Sequence, residues 1–238
     1  MIIPRANIEH LMSRGPQIAR RLGRPSSTVG LVLRRLGLGR LAALEPRPAV
    51  IRYQRAGPGE LLHLDTKKLG RIERIGHRIT GNRRDTRRGA GWEILHVAID
   101  DAARLAYSEI LPDERKASAV AFLGRALAWF ARLGVTVERI MTDNGSAYRA
   151  HAFRRACADA GLRHLRTRPY TPRTNGKAER FIQTCLREWA YARPYASSSE
   201  RSHAIDPWLH HYNHHRPHAG INALTPAARL NNLLGNDI

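Results

Sequence analysis

Three acidic residues of the chain stand in surroundings that suit metal-assisted chemistry. Asp65 and Asp143 each follow an apolar segment, and Glu179 comes soon after an Asn-Gly pair that opens a helical pattern. Mg²⁺ prefers oxygen ligands and keeps several waters, so two or three carboxylates suffice to hold it. Two such ions, roughly 3.5–4 Å apart, can activate an oxygen nucleophile and stabilise a leaving oxygen. The three carboxylates therefore predict a site for displacement at a phosphodiester, with Asp65 bridging two ions.

Other acidic and histidine residues have simpler structural explanations. An Asp at a strand end or a Glu in a first helical turn is usually a cap or a solvated charge, so the prediction rests on the three carboxylates together. Asp100 and Asp101 fit a tight hairpin turn. The histidines of residues 210–215 could bind a metal ion, but packing and phosphate contact are favoured, because no Cys or carboxylate nearby completes a closed metal site.

The charge of the chain indicates a polyanionic partner. Forty basic and 20 acidic residues give a net charge of +20 and a pI of about 11.3. Such an excess is typical of proteins that replace the counterions of nucleic acid, and it predicts binding to nucleic acid, which we expect to be double-stranded DNA. An Arg-rich protein of a GC-rich genome is the alternative. The residues that we expect to contact DNA are Ser26, Ser27, Thr28, Arg34, Arg83, Arg84, Arg173, Lys177 and Arg180.

The order of the predicted elements indicates an α/β fold. Apolar segments predict five strands, at residues 61–66, 92–99, 104–111, 137–141 and 162–165, and helical patterns lie at 117–133, 151–160 and 177–192. This order predicts a mixed sheet flanked by helices, with a hairpin between the second and third strands.

This arrangement would bring the three carboxylates together. The strand before Asp143 follows a helical crossover, so it can run parallel to the strand of Asp65 at a distance of ~4.8 Å. Glu179 would lie in the first turn of a helix capped by Thr174 or Asn175, where the helix dipole favours an anion.

The chain is predicted to contain four regions. Residues 1–44 form a helix-turn-helix unit, with helices at 17–22 and 28–36 and with Ser26 and Ser27 as caps of the second. An ordinary helical hairpin is the alternative. Pro and Gly residues predict a linker at 45–59. A catalytic core at 60–218 and a tail at 219–238 follow, the tail with a short helix capped by Thr225.

The remaining features concern the compartment. Cys157 and Cys185 lack metal spacing and predict structural thiols in a reducing environment. The first residues lack a signal sequence, and Arg125 and Arg132 interrupt the most apolar segment, so no membrane span is expected. We expect a soluble, cytoplasmic protein.

Residues 70–91 are rich in Arg and Gly and predict a basic loop.

Two motifs resemble those of a known family. The sequences Thr-Asp-Asn-Gly-Ser-Ala-Tyr at 142–148 and Pro-Arg-Thr-Asn-Gly-Lys-Ala-Glu-Arg-Phe at 172–181 resemble DDE transposases with a retroviral-integrase-type core. The resemblance is strongest to the insertion-sequence 481 group, which is related to the 3 group, and covers about residues 16 to 230. It implies a ribonuclease H-like fold, and Asp65, Asp143 and Glu179 match the three catalytic positions one for one.

The resemblance also carries expectations about activity and partners. It implies Mg²⁺ or Mn²⁺, cleavage of donor DNA, and strand transfer by a 3′-OH. It further implies element terminal repeats and target DNA as substrates, a homo-multimer that pairs two ends, and a place on the bacterial nucleoid.

The chain departs from the family pattern in two respects. Relatives commonly carry more helix-turn-helix sequence upstream, so the unit is interpreted as truncated at its start. They also often place a Lys or Arg where this chain has Leu186, and Arg187 is then the nearest basic candidate for that DNA contact. Two alternatives stay open: a truncated, non-catalytic repressor of transposition, and a ribonuclease H-like nuclease.

Overall fold

The computed structural model describes residues 15–38, 54–73, 80–85, 90–167 and 175–236. The chain divides into two compact units, Met1–Tyr53 and Gln54–Ile238. Most of the predicted linker at 45–59 lies outside the described residues, and so does Arg173. Among the helices that the structure describes, none is long and apolar enough to cross a membrane.

The amino-terminal unit contains the two short helices expected from the sequence. They are α1 (Gly15–Leu22) and α2 (Ser26–Arg35). Ala19 of α1 and Val29 of α2 are buried. The expectation that Ser26 and Ser27 cap α2 is wrong, because the cap position is Pro25 and no side chain caps this helix. Both serines lie inside the first turn, where their exposed side chains face solvent.

A mixed five-stranded sheet forms the centre of the second unit, as predicted. Its strands are β1 (Leu62–Gly70), β2 (Trp92–Asp100), β3 (Ala106–Leu111), β4 (Arg139–Thr142) and β5 (Arg163–Arg166). The strand order is β3-β2-β1-β4-β5. β2 runs antiparallel to both β1 and β3, whereas β4 runs parallel to both β1 and β5. Helical crossovers supply the parallel connections.

Seven helices are described in this unit. They are α3 (Lys116–Arg132), α4 (Ser146–Arg149), α5 (His151–Asp159), α6 (Gly176–Cys185), α7 (Ser198–His203), α8 (Ile205–His214) and α9 (Pro226–Leu234). α6 is shorter than expected, because the chain continues as a π-helical turn at Leu186–Ala190. Arg83–Asp85 form a 3₁₀ turn within the predicted basic loop.

One predicted loop is a helix because of local capping. The sequence predicts an irregular segment at residues 196–202, yet α7 begins at Ser198. The Ser197 side chain accepts a hydrogen bond from the backbone N–H of Glu200, and the Glu200 carboxylate accepts one from Ala196. Such reciprocal bonds stabilise a helix start. The predicted cap of α9 is confirmed, since Thr225 Oγ1 accepts from the Ala228 N–H.

Two apolar cores cover the two faces of the sheet. Leu62 and Leu64 of β1 pack in a cluster with α3 and α5, to which α9 of the predicted tail adds Leu230. Val97 of β2 packs in the opposite cluster with α6 and α8. Asp65 pairs with Val97 across the strands, and directly opposed residues share a face. Asp65 therefore lies on the α6 side of the sheet. Both cysteines are buried and free.

A buried amide joins α8 to the outer strand of the sheet. Asn213 Oδ1 accepts from the backbone N–H of Ala106 at 3.0 Å, and its Nδ2 donates to the carbonyl of the same residue at 2.8 Å. The Asn213 side chain thus makes the pair of bonds that another strand would make at this edge. No local sequence pattern indicated this contact.

Candidate active site

Asp65 and Asp143 stand side by side at the same level of the sheet. β1 and β4 are parallel, with Leu62 opposite Ile140. Asp65 is three residues beyond Leu62, and Asp143 is three residues beyond Ile140. Neighbouring strands lie about 4.8 Å apart, so both acidic residues reach the same end of the strand pair. The prediction that the two acidic strands are parallel neighbours is confirmed.

The loop after β4 is held by local hydrogen bonds around Asp143. The backbone N–H of Gly145 donates to Asp143 Oδ1 at 2.8 Å, which is an Asx-type turn. Asn144 Nδ2 donates to the Thr167 carbonyl at 2.8 Å, and Thr142 Oγ1 donates to the Asp143 carbonyl at 2.9 Å. The Asp143 carboxylate stays exposed while its backbone is fixed on both sides.

Glu179 lies in the first turn of α6, as predicted, and its side chain is exposed. Asn175, one of the two predicted caps, occupies the cap position, but its side chain does not cap the helix. The other predicted cap, Thr174, lies outside the described residues. The Asn175 side chain points instead to β1, where Nδ2 donates to the Leu64 carbonyl at 3.2 Å. The start of α6 is therefore attached to the strand that carries Asp65.

The electrostatics of Asp65 show that the three carboxylates interact. Burial raises the pKa of the Asp65 carboxyl to about 6, and repulsion from Asp143 and Glu179 adds to this. The hydrogen bond that Asp65 Oδ1 accepts from the Thr66 N–H at 2.8 Å works in the opposite direction. A nearby cation would relieve both the burial cost and the repulsion, since opposite charge favours the ionised form.

The three carboxylates offer the oxygen ligands that a hard divalent cation prefers, although they do not form a closed cage. Within the described parts of the chain, no three His, Cys, Asp or Glu side chains form a ready metal cage. Mg²⁺ is usually held by one or two carboxylates together with waters and substrate oxygens. Two exposed carboxylates beside the half-buried Asp65 match this open type of site. Asp65, Asp143 and Glu179 are the residues that could hold such an ion.

Lys177 has a different partner from the one predicted. Its ammonium group forms an ion pair with the buried carboxylate of Asp101 and donates to the Asp101 carbonyl at 3.2 Å. Burial alone would raise the pKa of Asp101, but hydrogen bonds from His63, Lys177 and the Arg55 N–H hold it well below its usual range. The charge of Lys177 is therefore paired inside the protein, and the assignment of Lys177 to a DNA phosphate stays a prediction.

Asp100 is a structural residue, as the sequence indicated. Its carboxylate accepts hydrogen bonds from the backbone N–H groups of Gly59, Ala102 and Ala103. It closes the β2–β3 turn from inside the protein.

The other predicted DNA contacts that the structure describes lie on the surface. The residues with exposed side chains are Ser26, Ser27, Thr28, Arg34, Arg83, Arg84, Arg180 and Arg187. Arg180 follows Glu179 on α6, and Arg187 lies in the π-helical turn. Exposure is compatible with phosphate contact, so these assignments stay predictions.

Sequence reasoning did not predict the contacts of four polar residues beside the site. His63, Asp101 and Asn175 form a buried hydrogen-bonded cluster. The hydroxyl of Tyr148 is buried without a hydrogen-bond partner among the residues that the structure describes. Burial, together with the charges of Asp65 and Asp143, raises the pKa of Tyr148. The position of His63, two residues before Asp65 on the same strand face, was the available signal.

The sheet topology and the helices around it are those of a ribonuclease H-like, integrase-type core. A chain in the simian T-cell lymphotropic virus intasome superposes with a TM-score of 0.60 and 19% identity, covering 91% of this chain and 74% of that one. The HTLV-2 integrase catalytic core domain, solved in complex with magnesium, superposes with a TM-score of 0.50 and 16% identity. That match covers 71% of this chain and 94% of the other.

Family models identify the chain more closely. Two models, both described as Integrase core domain, match residues 56–172 and 160–226. Together they extend from just before β1 to the start of α9. Residues 56–226 of the chain belong to the integrase core family.

Curated relatives include both integrases and transposases. A putative integrase of Spiroplasma virus SpV1-C74 is 26% identical over 148 residues, which are 57% of this chain and 41% of the relative. The putative transposase InsD for insertion element IS2E of Escherichia coli is 31% identical over 90 residues, which are 38% of this chain and 41% of the relative. The chain thus spans less than half the length of these relatives.

Proposed function

We propose that this chain is a DDE-type polynucleotidyl transferase that cleaves DNA and transfers strands in transposition. The observation that carries the proposal is that parallel β1 and β4 bring Asp65 and Asp143 to the same level, while the charges of Asp143 and Glu179 raise the pKa of the Asp65 carboxyl. Membership of the integrase core family and relatives named as transposase and integrase support it.

Mg²⁺ or Mn²⁺ is the proposed cofactor, with two ions per site. Asp65, Asp143 and Glu179 would hold the ions. When bound, the ions supply Lewis-acid stabilisation of the phosphate and activation of an oxygen nucleophile. The similar HTLV-2 integrase core was solved in complex with magnesium, which supports a divalent ion here.

The proposed reaction has two displacements at phosphorus. In donor cleavage, a water oxygen bonds to phosphorus as the bond to a 3′ oxygen breaks, which leaves a free 3′-OH. In strand transfer, that hydroxyl oxygen bonds to a target phosphorus, and the target's own 3′ oxygen leaves with a proton. The Gly145 N–H and the attachment of Asn175 to β1 hold Asp143 and Glu179 in place for both steps.

The proposed partners are the terminal repeats of an insertion element and target DNA, bound by a homo-multimer on the bacterial nucleoid in the cytoplasm. The net charge of +20 supports DNA binding. The similar chain of simian T-cell lymphotropic virus is part of an intasome, which supports a multimer here. Membership of the insertion-sequence 481 group is part of the proposal.

The test is plasmid nicking and joining in Mn²⁺, with the DNA that flanks the gene as donor ends. Glu179→Gln removes one carboxylate charge from an exposed site with little change in shape. We expect wild-type protein to give joined products and Glu179→Gln to lose at least about 100-fold of the joining rate, because removal of a single charge-stabilising group typically costs that much.

Glu138→Gln is the matched control. Glu138 is also exposed, but it lies just before β4, at the opposite end of that strand from Asp143. It should join DNA like the wild type. Equal joining by the Glu138 and Glu179 variants would contradict the proposed site. Nicked but unjoined DNA would indicate a nuclease, and specific binding without either product would indicate a regulator of transposition.

A further inference from the structure

A buried polar cluster lies behind the carboxylates, on the α6 side of the sheet. His63, Asp101 and Asn175 are only 3%, 0% and 3% exposed, so none of them can touch DNA directly. Burying such groups costs free energy unless each of them is hydrogen-bonded. All three have partners, and these partners connect separate elements of the fold.

The hydrogen bonds form a continuous connection across β1. Asp101, in the β2–β3 turn, bonds through Oδ1 to Nε2 of His63 at 2.8 Å. Nδ1 of His63 lies 3.1 Å from Oδ1 of Asn175, and Asn175 Nδ2 donates to the Leu64 carbonyl at 3.2 Å. Lys177 adds a second connection from α6 to Asp101 through its ion pair.

Two members of this connection lie close in sequence to two of the proposed metal ligands. His63 stands two residues before Asp65 on β1, and Asn175 immediately precedes α6, whose first turn contains Glu179. A shift of the α6 start relative to β1 would move the Glu179 carboxylate relative to that of Asp65. The cluster is therefore placed to set the distance between these two carboxylates.

We propose that His63, Asp101 and Asn175 are positioning residues that fix the spacing of Asp65 and Glu179 and thereby set the affinity of the site for a divalent cation. The inference rests on the proposed function, since it concerns the same site. Hydrogen-bonding partners of metal ligands typically change metal affinity by about 10–100-fold when they are mutated.

The experiment compares Asn175→Ala with Asn213→Ala in the whole chain. The two residues are a matched pair, because both are buried and both bond to a strand carbonyl through the side-chain amide. Only Asn175 is connected to the carboxylates. The readouts are the Mn²⁺ concentration that gives half of the maximal rise in melting temperature, and hydrogen exchange of the α6 backbone.

We expect both variants to melt earlier than the wild type. Asn175→Ala should also need at least about tenfold more Mn²⁺ for half of the rise and should lose exchange protection at the start of α6. Asn213→Ala should keep the wild-type Mn²⁺ midpoint. Asn175→Asp, which retains an oxygen facing His63 but not the donor to Leu64, tests a milder change and should give an intermediate midpoint.

The possible outcomes distinguish failure of the positioning role from failure of the proposed function. A wild-type midpoint in both Asn175 variants, or an equal shift in Asn213→Ala, would overturn the positioning role and leave the proposed function standing. A wild-type protein whose melting temperature does not respond to Mn²⁺ would overturn the proposed function, and the positioning role would fall with it. Loss of α6 protection in Asn175→Ala together with a raised midpoint would establish the inference.

Discussion

The ionised Asp65 carboxylate lowers the stability of the folded protein. Its pKa is raised from 3.8 to about 6, chiefly by burial. The folded state therefore holds a proton on this residue at pH values where the unfolded chain has lost it, so stability falls as the pH rises through this window. The proposed metal-binding role of Asp65 accounts for this loss of stability, because sites that bind charged ligands often reduce the stability of the free protein.

Asp65→Asn should stabilise the metal-free protein at pH 7.5. A pKa difference of about two units corresponds to a loss of about 3 kcal/mol in the free energy of unfolding. The amide of the variant carries no charge, so this loss should be absent. The measurement is urea unfolding of wild type and variant without divalent ions, at pH 7.5 and again near pH 4. At the lower pH the Asp65 carboxyl is largely protonated in the folded protein. Most of the stability gained by the substitution should therefore disappear.

Asp159→Asn provides the control for this prediction. Asp159 is exposed at the end of α5 and is 3.8 Å from Arg155. Exposed ion pairs of this kind contribute little, typically less than about 1 kcal/mol. An equal gain in stability for the two variants at pH 7.5 would contradict the special environment of Asp65.

At the scale of elements, one glycine connects three parts of the sheet. Gly59 donates its N–H to Asp100 Oδ1 at 2.8 Å, and its carbonyl accepts from the N–H of Glu138 at 2.9 Å. It thereby joins the chain entering β1, the β2–β3 turn and the chain entering β4. Its φ of +83° lies in a region that favours glycine, and an added Cβ would overlap the Thr136 carbonyl.

Gly59→Ala should therefore lower the free energy of unfolding by at least about 3 kcal/mol, because both backbone strain and a steric clash arise. Chemical denaturation monitored by tryptophan fluorescence measures this. Gly124→Ala is the opposite case, since Gly124 lies in α3 with nothing within 4 Å of an added Cβ. It should stabilise the protein by about 0.5–1 kcal/mol. Similar effects of the two changes would contradict the structure around Gly59.

The sequence predicted the elements better than the contacts between them. Strand and helix positions agreed to within a few residues, because apolar periodicity reflects which face of each element is buried. The start of α7 was missed because its cap depends on Ser197 and Glu200 acting together. The early end of α6 before the π-helical turn at Leu186 had no signal in composition.

At the scale of the whole molecule, the positive charge is divided between internal and external uses. Arg180 and Lys177 are three residues apart on α6, yet Arg180 is exposed while Lys177 is paired with buried Asp101. Net charge alone does not distinguish them. Only exposed cations are free to replace the counterions of DNA.

A comparison of Arg180→Met and Lys177→Met tests this division. We expect Arg180→Met to reduce the slope of log affinity against log salt by about 1 for a DNA duplex, with little change in stability. Lys177→Met should leave the slope unchanged and destabilise the fold, because Asp101 keeps a buried charge with fewer partners. Anisotropy titrations at several salt concentrations, with thermal melting in parallel, measure both effects. A reduced slope for Lys177→Met instead would return this residue to the DNA surface.

The sequence by itself determined the order of the elements and the mixed sheet, and it singled out Asp65, Asp143 and Glu179 as the candidate site. These follow from local patterns, namely apolar periodicity, turn residues and short motifs. Only the tertiary structure decided which polar groups meet. His63 and Asn175 are 112 positions apart, and His63 and Asp101 are 38 apart, yet they bond in the interior. Such partners depend on the register of β1 against its neighbours and on how α6 packs over the sheet. No local sequence pattern encodes that register or that packing.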